Sequence, residues 1–342
     1  ESRVIGGLAD KGELVVSNVD FKGSQAAADT DAPVSQPSST MQAMVYDEYG
    51  DTSVLHADSL PVPLRLPGQV LIEVWASSVN PVDYRMRSGE LKGLLPGGFP
   101  RIPGYDVAGV IATSASDAPF QPGDRVMAYL NSVRGGACAE YAVCAVDSVV
   151  KLPASLPTDL AAAMPLAGST ALQSLRDHGS MKPGDRILVN GASGGVGMFA
   201  VQIAKAYGCH VDAVASGANR EFCLSLGAER FYDYQQTDFA RSSERWDLIF
   251  DAAGKDRYRA ARRVMKPGGR FVSTEPNVKG LVMTLLSWLL PRSGSVMLAK
   301  PNSIFMKQVS SKLPSTVVSQ WQRLPRHIVA WKTESIVARS CC

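Results

Sequence analysis

The sequence has no apolar run that approaches the ~20 residues needed to span a bilayer. Its most apolar stretch, residues 281–290, is interrupted by Thr284, Ser287 and Trp288 and is followed by Pro291. We therefore expect no transmembrane segment. We expect this stretch to form a helix in a core or at a domain interface, with contact to a membrane surface as the alternative.

Dense basic blocks and metal-binding cysteine spacings are also lacking. The 35 basic and 32 acidic residues leave a net charge of +3 with no block that could follow a phosphate backbone, which argues against a nucleic-acid partner. The six cysteines form no CxxC unit, a pattern typical of a reducing compartment with mostly buried thiols. The composition, 45% hydrophobic and 20% charged, is that of a globular protein, and 342 residues suffice for two domains.

The first 40 residues are rich in Ser, Ala, Asp and Gly and have little to bury, so we expect residues 1–40 to be a flexible N-terminal extension. The sequence begins with Glu1 instead of Met, from which we expect that a leader was removed upstream; a sequence artefact is the alternative. An organelle stroma or matrix, in a chloroplast or mitochondrion, and the cytoplasm both fit this expectation.

Two regions of different pattern follow, which predicts an α/β protein of two domains. Over residues 41–160, short β-branched runs separated by Pro and Gly predict a β-rich domain. Over residues 161–299, strands alternate with helices, which predicts a parallel sheet with right-handed crossovers. The strands predicted in this second domain are Arg186–Asn190, His210–Ser216, Trp246–Asp251 and Arg270–Thr274, and the helices are Val196–Tyr207, Arg220–Leu226 and Tyr258–Met265.

A glycine-rich turn, residues 191–197 (GASGGVG), lies between the first of these strands and the first helix. Glycines let a backbone approach a pyrophosphate closely, and the N-terminus of the following helix offers free N–H groups and a positive dipole. Strand, glycine-rich turn, helix and second strand fit within about thirty residues, as a dinucleotide fold requires. We therefore predict a dinucleotide cofactor at this turn.

The end of the second strand indicates which dinucleotide is bound. An acidic residue there would hold the ribose 2′-hydroxyl of NAD, and residues 216–220 (SGANR) contain none. Ser216 and Arg220 suit a 2′-phosphate instead, which predicts NADPH. The alternative is that Arg220 caps the start of a solvated helix.

Several ordered motifs resemble the medium-chain dehydrogenase/reductase superfamily, and within it the zinc-free quinone oxidoreductase and enone (alkenal) reductase branch. The resemblance extends from Met41 to about Asn302. Its carriers are residues 78–83 (SVNPVD), 103–109 (PGYDVAG), 122–126 (PGDRV), 166–171 (LAGSTA), the turn 191–197 and residues 225–228 (SLGA).

The resemblance implies a GroES-like substrate domain, a Rossmann domain that binds NADPH, and a return of residues 300–342 to the first domain, with cofactor and substrate in the cleft between them. It also assigns roles to individual positions. Asn80 would border the nicotinamide and the substrate, Thr170 would contact the nicotinamide side, Ser193, Gly194, Gly195 and Val196 would hold the pyrophosphate, Ser216, Arg220 and Tyr234 would surround the adenosine phosphate, and Gly254 would border the cofactor.

The sequence departs from the zinc-dependent members of this superfamily. They carry Cys where this chain has Asn80, and Gly-His-Glu where it has residues 104–106 (GYD). A catalytic zinc needs about three convergent N or S ligands, so we expect no metal. The C-terminus differs as well: residues 312–319 and 332–339 resemble the two closing strands of the family, but the helix between them is short. The oligomer contacts are therefore open, and either a homo-oligomer or a larger assembly is compatible.

Three functions are consistent with these features. The first is transfer of hydride from NADPH to the double bond of an enal or enone, with Tyr84 as proton donor or carbonyl partner. Packing in the cleft wall is the alternative role of Tyr84, with water as the acid, and Asp83 would fix the Asn80 loop. The second function uses a quinone as acceptor. The third is a weakly active or non-catalytic subunit of a larger assembly, suggested by the extension and the altered C-terminus.

Overall fold

The computed structural model describes residues 39–92, 98–130, 132, 134–255 and 258–274, together with the backbone of residues 3–8, 14–18 and 331–332. Within the predicted extension, strands β1 (Arg3–Leu8) and β2 (Leu14–Asn18) pair in antiparallel fashion, a local structure that composition did not predict. The apolar stretch 281–290, residues 312–319 and residues 333–339 lie outside the described residues.

The first unit of the described chain runs to Leu166 and includes the short strand at residues 331–332. It is β-rich, as predicted, and its main sheet is antiparallel. Beside this sheet lies a two-stranded pair, β3 with β4, whose partners run from Thr40↔Pro61 to Val45↔His56. The strands are β3 (Thr40–Val45), β4 (His56–Pro61), β5 (Gln69–Ser77), β6 (Asp106–Thr113), β7 (Arg125–Tyr129), β8 (Tyr141–Ala145) and β9 (Val149–Lys151), with α1 at Pro81–Arg87 and α2 at Thr158–Ala162.

Strand β5 is the centre of this unit because both of its faces are buried. Alternate side chains of a strand point to opposite faces, and here Val70, Ile72 and Val74 enter one hydrophobic cluster while Leu71 enters another. The strand pairs with β6, with β8 and, near its end, with Trp331–Lys332, which we number β15. The C-terminal part of the chain thus contributes a strand to the first unit.

The second unit begins at Ala167 and contains a five-stranded parallel sheet. Its order is β12, β11, β10, β13, β14, so the chain moves outwards from β10 on one side and then continues on the other. In parallel α/β sheets, ligands bind beyond the carboxyl ends of the strands at such a reversal, here between β10 and β13. The elements are α3 (Pro165–Leu172), β10 (Arg186–Asn190), α4 (Gly195–Ala206), β11 (His210–Ala215), α5 (Arg220–Ser225), β12 (Arg230–Asp233), β13 (Trp246–Asp251), α6 (Tyr258–Ala261) and β14 (Met265–Ser273).

The structure confirms the predicted fold class and differs from the predicted elements in detail. Strand β12 was not predicted, because its four residues are only partly buried and show no apolar pattern. The predicted helix Tyr258–Met265 is α-helical only to Ala261 and continues as a 3₁₀ helix over Arg262–Val264, while Met265 instead pairs with Trp246 as the start of β14. Along the chain, the first unit gives way to the second within α3, between Leu166 and Ala167. The sequence pattern had predicted this boundary at residue 160. Within the described ranges, we find no helix with the length and apolar character of a membrane span.

Candidate functional site

The glycine-rich turn is tied to the neighbouring strand by its own backbone. The N–H groups of Gly191 and Ala192 both donate to the carbonyl oxygen of Val214 at 3.0 Å, and the Gly194 N–H donates to the Gly191 carbonyl at 3.0 Å. A Cβ at Gly197 would overlap that same Gly191 carbonyl oxygen. Helix α4 therefore packs against the turn at a separation that only glycine allows.

The first turn of α4 leaves backbone donors without acceptors in the helix. The helix begins at Gly195, Gly194 is its N-cap and makes no side-chain cap, and the first helical hydrogen bond runs from the Met198 N–H to the Gly194 carbonyl at 2.9 Å. The N–H groups of Gly195, Val196 and Gly197 thus precede the ladder. Together with the helix dipole they form a site for an anion, and the exposed Gly194 and Gly195 leave it open.

The reversal point between β10 and β13 carries a polar pair that sequence analysis missed. Asn190 ends β10, and its Nδ2 donates to Asp251 Oδ1 at 2.8 Å. The other oxygen of Asp251 accepts the Lys255 N–H at 3.0 Å. Burial raises the pKa of Asp251, and the Asn190 amide and the loop N–H groups partly offset this effect. Asp251 thereby shapes the loop that contains Gly254, and a carboxylate ending an apolar strand was the signal that could have revealed it.

Ser216 and Arg220 lie together beyond the carboxyl end of β11. Asn219 Nδ2 donates to Ser216 Oγ at 2.9 Å, which leaves the hydroxyl hydrogen of Ser216 for another acceptor. Arg220 is the exposed first residue of α5, and its guanidinium carbon lies 5.6 Å from the ring centre of Phe231. The cation–π contact holds the guanidinium beside the loop 216–220.

Two other predicted cofactor residues, Tyr234 and Ser193, follow the carboxyl ends of strands of the same sheet. Tyr234 follows β12, its N–H donates to the Ala215 carbonyl at 3.2 Å, and 57% of the residue is exposed. Ser193 lies half-buried within the glycine-rich turn. Thr170 lies buried in α3.

In the first unit, Asn80 belongs to a buried polar network that we call the Asp106 network, formed by Ser78, Asn80, Asp106 and the Leu166 N–H. The Asn80 Nδ2 donates to Asp106 Oδ2 at 2.9 Å and to Ser78 Oγ at 3.2 Å. Ser78 Oγ donates to Asp106 Oδ2 at 2.6 Å, and the Leu166 N–H donates to Asp106 Oδ1 at 2.8 Å. Because these two acceptors lie only 2.6 Å apart, one hydrogen of the Asn80 amide is shared between them, which fixes the amide's orientation and leaves its second hydrogen for another acceptor.

Asp106 is fully buried, and the donors around it are neutral. Burial raises its pKa to about 7, an effect that the hydrogen bonds from Ser78 and Asn80 partly offset and the charge of Asp83 increases. In the sequence, Asp106 stands out only as the counterpart of a zinc-site glutamate. The structure shows that it orients Asn80.

Asp83 ties the start of α1 to the preceding loop and to the segment at Gly104. Its Oδ2 accepts the Asn80 N–H at 2.6 Å, and its Oδ1 accepts the Gly104 N–H at 3.0 Å. Burial raises the pKa of Asp83 to about 6. Tyr84, the next residue on α1, is 46% exposed, so its phenol is accessible to a small molecule.

A hydrogen bond links two of the positions where zinc-dependent relatives carry metal ligands, since Asn80 donates to Asp106. Across the described part of the chain, no three His, Cys, Asp or Glu side chains form a cluster that could hold a metal ion. Tyr105, the third position, stacks on Tyr129 with ring centres 6.1 Å apart. The side chains of Asn80 and Asp106 therefore act as hydrogen-bonding groups.

Known protein families match both units of the chain. The family profile described as alcohol dehydrogenase GroES-like domain matches residues 66–154, and the profile described as zinc-binding dehydrogenase matches residues 195–284. The chloroplast envelope quinone oxidoreductase homolog of Arabidopsis thaliana is 36% identical over 247 residues, which are 69% of this chain and 75% of that protein.

Two further relatives show the same pattern. The 2-methylene-furan-3-one reductase of Solanum lycopersicum is 36% identical over 257 residues, 72% of this chain and 65% of that protein. The solved quinone oxidoreductase of Coxiella burnetii is 30% identical, with a TM-score of 0.68 over 88% of this chain and 98% of that one. The chain therefore belongs to the medium-chain dehydrogenase/reductase superfamily, in its quinone oxidoreductase-like branch, and is an oxidoreductase with a nicotinamide cofactor and a small-molecule substrate.

Proposed function

We propose that this oxidoreductase uses NADPH, without zinc, to reduce the activated double bond of α,β-unsaturated carbonyl compounds. The observation that carries the proposal is the Asp106 network, in which a fixed amide at Asn80 takes the place of a zinc-binding cysteine. A zinc ion would polarise an alcohol or carbonyl as a Lewis acid. An amide and a phenol can orient a carbonyl by hydrogen bonds alone, which suits an acceptor already activated by conjugation.

Residues of the second unit would hold the cofactor. The N–H groups of Gly195, Val196 and Gly197 suit the pyrophosphate, because they precede the helical ladder of α4 and meet the positive end of its dipole. Ser216 and Arg220 suit a 2′-phosphate, since one can donate a hydroxyl hydrogen and the other a charged fork. When bound, the cofactor supplies the hydride.

Residues of the first unit would act on the substrate. Asn80 would hold the substrate or the nicotinamide in position through its fixed amide, with Ser78 and Asp106 as its supports. The α-carbon needs a proton once the β-carbon has received hydride, and the exposed phenol of Tyr84 can deliver one or can steady the carbonyl oxygen while water delivers it. Hydride and proton together account for the two hydrogens added.

The named relatives favour one alternative acceptor and also support the proposed one. Two of them are named as quinone oxidoreductases, which favours a quinone. The tomato relative is named as a reductase of 2-methylene-furan-3-one, a compound whose name describes a conjugated enone. Both acceptors are flat and electron-poor, and the same fixed amide could hold either.

Nucleotide titration followed by an acceptor panel tests the proposal. Fluorescence titration of the full chain should show that NADPH binds, and NADPH consumption should then be fastest with enals and enones and slower with enoyl thioesters and quinones. Turnover with quinones alone would replace the proposed acceptor. Absence of NADPH binding would refute the function altogether.

The variant Asn80→Ser tests the role of the amide. Serine is also a good N-cap, so α1 should persist while the amide is withdrawn. We expect kcat to fall at least tenfold with the Kd for NADPH unchanged. The matched control is Val79→Ala, since Val79 is 55% exposed and offers no hydrogen bond from its side chain.

A further inference from the structure

An acidic side chain lies beside the loop that follows β11, although the sequence of that loop contains none. Asp233 ends β12 and is the register partner of Ala215, the last residue of β11. A Cβ at Gly217 would lie 2.6 Å from Asp233 Oδ2 and 3.4 Å from its Cγ. The carboxylate thus occupies the space in which a side chain at position 217 would begin.

This carboxylate forms no ion pair with another side chain in the described part of the chain. Its Oδ1 accepts the Gln235 N–H at 3.0 Å, and the ion pairs formed by the described residues do not include it. Arg220, the cation of the same loop, lies over the ring of Phe231 instead. Phe231 and Asp233 are two residues apart on β12 and so share one face of the strand. The loop 216–220 is therefore bordered by an anion, Asp233, and a cation, Arg220, that do not form an ion pair with each other.

The two charges have opposite preferences for the ribose of a dinucleotide. A carboxylate at the end of such strands accepts hydrogen bonds from the ribose hydroxyls and repels a 2′-phosphate. A guanidinium attracts the phosphate and gains little from a hydroxyl. Whichever group lies nearer the 2′ position sets the preference, and here both border the loop 216–220.

We propose that Asp233 is a second determinant of cofactor choice, which opposes Arg220 and lets the site bind NADH as well as NADPH. The inference rests on the proposed function only in assuming that a nicotinamide dinucleotide binds at the glycine-rich turn. The choice between NADH and NADPH would then depend on Asp233 of β12 as well as on the residues after β11 that the sequence indicates. It also gives Gly217 a role, because a larger residue there would displace the carboxylate.

The test compares Kd values of the full-length chain and its Asp233→Asn variant for NADPH, NADH, AMP and adenosine 2′,5′-bisphosphate. The last two ligands isolate the 2′-phosphate, since they differ in that group alone. Asparagine keeps an oxygen for the Gln235 N–H, so the turn should persist. We expect the preference for the 2′-phosphorylated ligand to rise about tenfold in both pairs, as when one charged hydrogen-bond partner is exchanged in a partly exposed site.

Two further variants separate this role from others. Glu221→Gln removes one negative charge from the next exposed position after Arg220, and it should leave both preferences within about twofold of the original. Gly217→Ala should move the carboxylate aside and shift the preference in the same direction as Asp233→Asn. An unchanged preference in Asp233→Asn, or equal weakening of all four ligands, would overturn the inference. No binding of NADPH or NADH by the unaltered chain would overturn the proposed function with it.

Discussion

Replacing Asp106 by Asn should change how the stability of the protein depends on pH. Asp106 is fully buried and accepts hydrogen bonds from Ser78, Asn80 and the Leu166 N–H. An asparagine has one acceptor oxygen, so in either orientation of its amide an N–H group would face another donor. Leaving such a group unsatisfied costs about 1–3 kcal/mol, and we expect Asp106→Asn to be less stable than the original protein by about that amount at pH 5.

The sign of the pH effect follows from the raised pKa. Burial raises the pKa of Asp106 from 3.8 to about 7, so the folded state binds its proton more tightly than the unfolded state. The stability that this proton contributes is fully present below pH 3.8 and is lost as the pH rises through about 7. The slope of this loss falls from about 1.4 kcal/mol per pH unit near pH 5 to about half of that at pH 7, where half of the Asp106 carboxyl is ionised, and the total loss between pH 5 and pH 7 is about 2 kcal/mol. Asp106→Asn should lose this component, while Asp83, with a pKa raised to about 6, should keep a smaller decline in both proteins.

Urea unfolding at a series of pH values from 5 to 8, followed by tryptophan fluorescence and circular dichroism, measures the difference. The variant should become as stable as the original protein, or more stable, above pH 7. The control is Asp117→Asn, in which an exposed carboxylate of the same unit is removed and the pH profile should not change. The infrared band of protonated carboxyl groups near neutral pH should weaken in Asp106→Asn and not in Asp117→Asn, and the remainder should come from Asp83. If both proteins show the same pH dependence, Asp106 is ionised throughout and the reasoning is wrong.

Three further predictions concern the site directly. Gly197→Ala would place its Cβ on the Gly191 carbonyl oxygen, so melting temperature should fall and nucleotide affinity should drop at least tenfold in titration; an unchanged affinity would contradict the close packing of α4 on the turn. Arg220→Ala should weaken NADPH about tenfold and NADH by less than threefold in fluorescence titration, and equal losses would remove the 2′-phosphate assignment. Tyr84→Phe should lower kcat about tenfold or more with unchanged KM if the phenol supplies the proton, measured in steady-state assays. Full activity of this variant would assign the proton to water.

The strands and the helix around the predicted cofactor site were predicted correctly, because their patterns are local in sequence. The strand β10, the glycine-rich turn, α4 and β11 follow one another without interruption, and each has a clear pattern: an apolar run, glycines, an apolar helix face and a second apolar run. Strand β12 was missed because it has four residues and no fully buried position. Asp233 was missed for the same reason, since its position beside Gly217 depends on the pairing of β12 with β11.

The Asp106 network shows the same limit in the first unit. Asn80, Ser78 and Asp106 were all visible as residues of family-like motifs, and Asp106 was interpreted only as a replaced zinc ligand. The hydrogen bond from Asn80 to Asp106 arises because α1 follows the end of β5 while β6 begins at Asp106 and pairs with β5. Pattern analysis does not give the distance between two such side chains.

The amino-acid sequence by itself determined the fold class, the family and the strand–turn–helix order around residues 191–197, because these depend on residue types at short, fixed spacings. The tertiary structure alone decided which polar groups are buried together, Asp106 with Asn80 and Ser78 and Asn190 with Asp251, and which lie side by side at the surface, as Asp233 does beside Gly217. Burial and charge balance are properties of packed neighbours, and the register of the strands sets those neighbours.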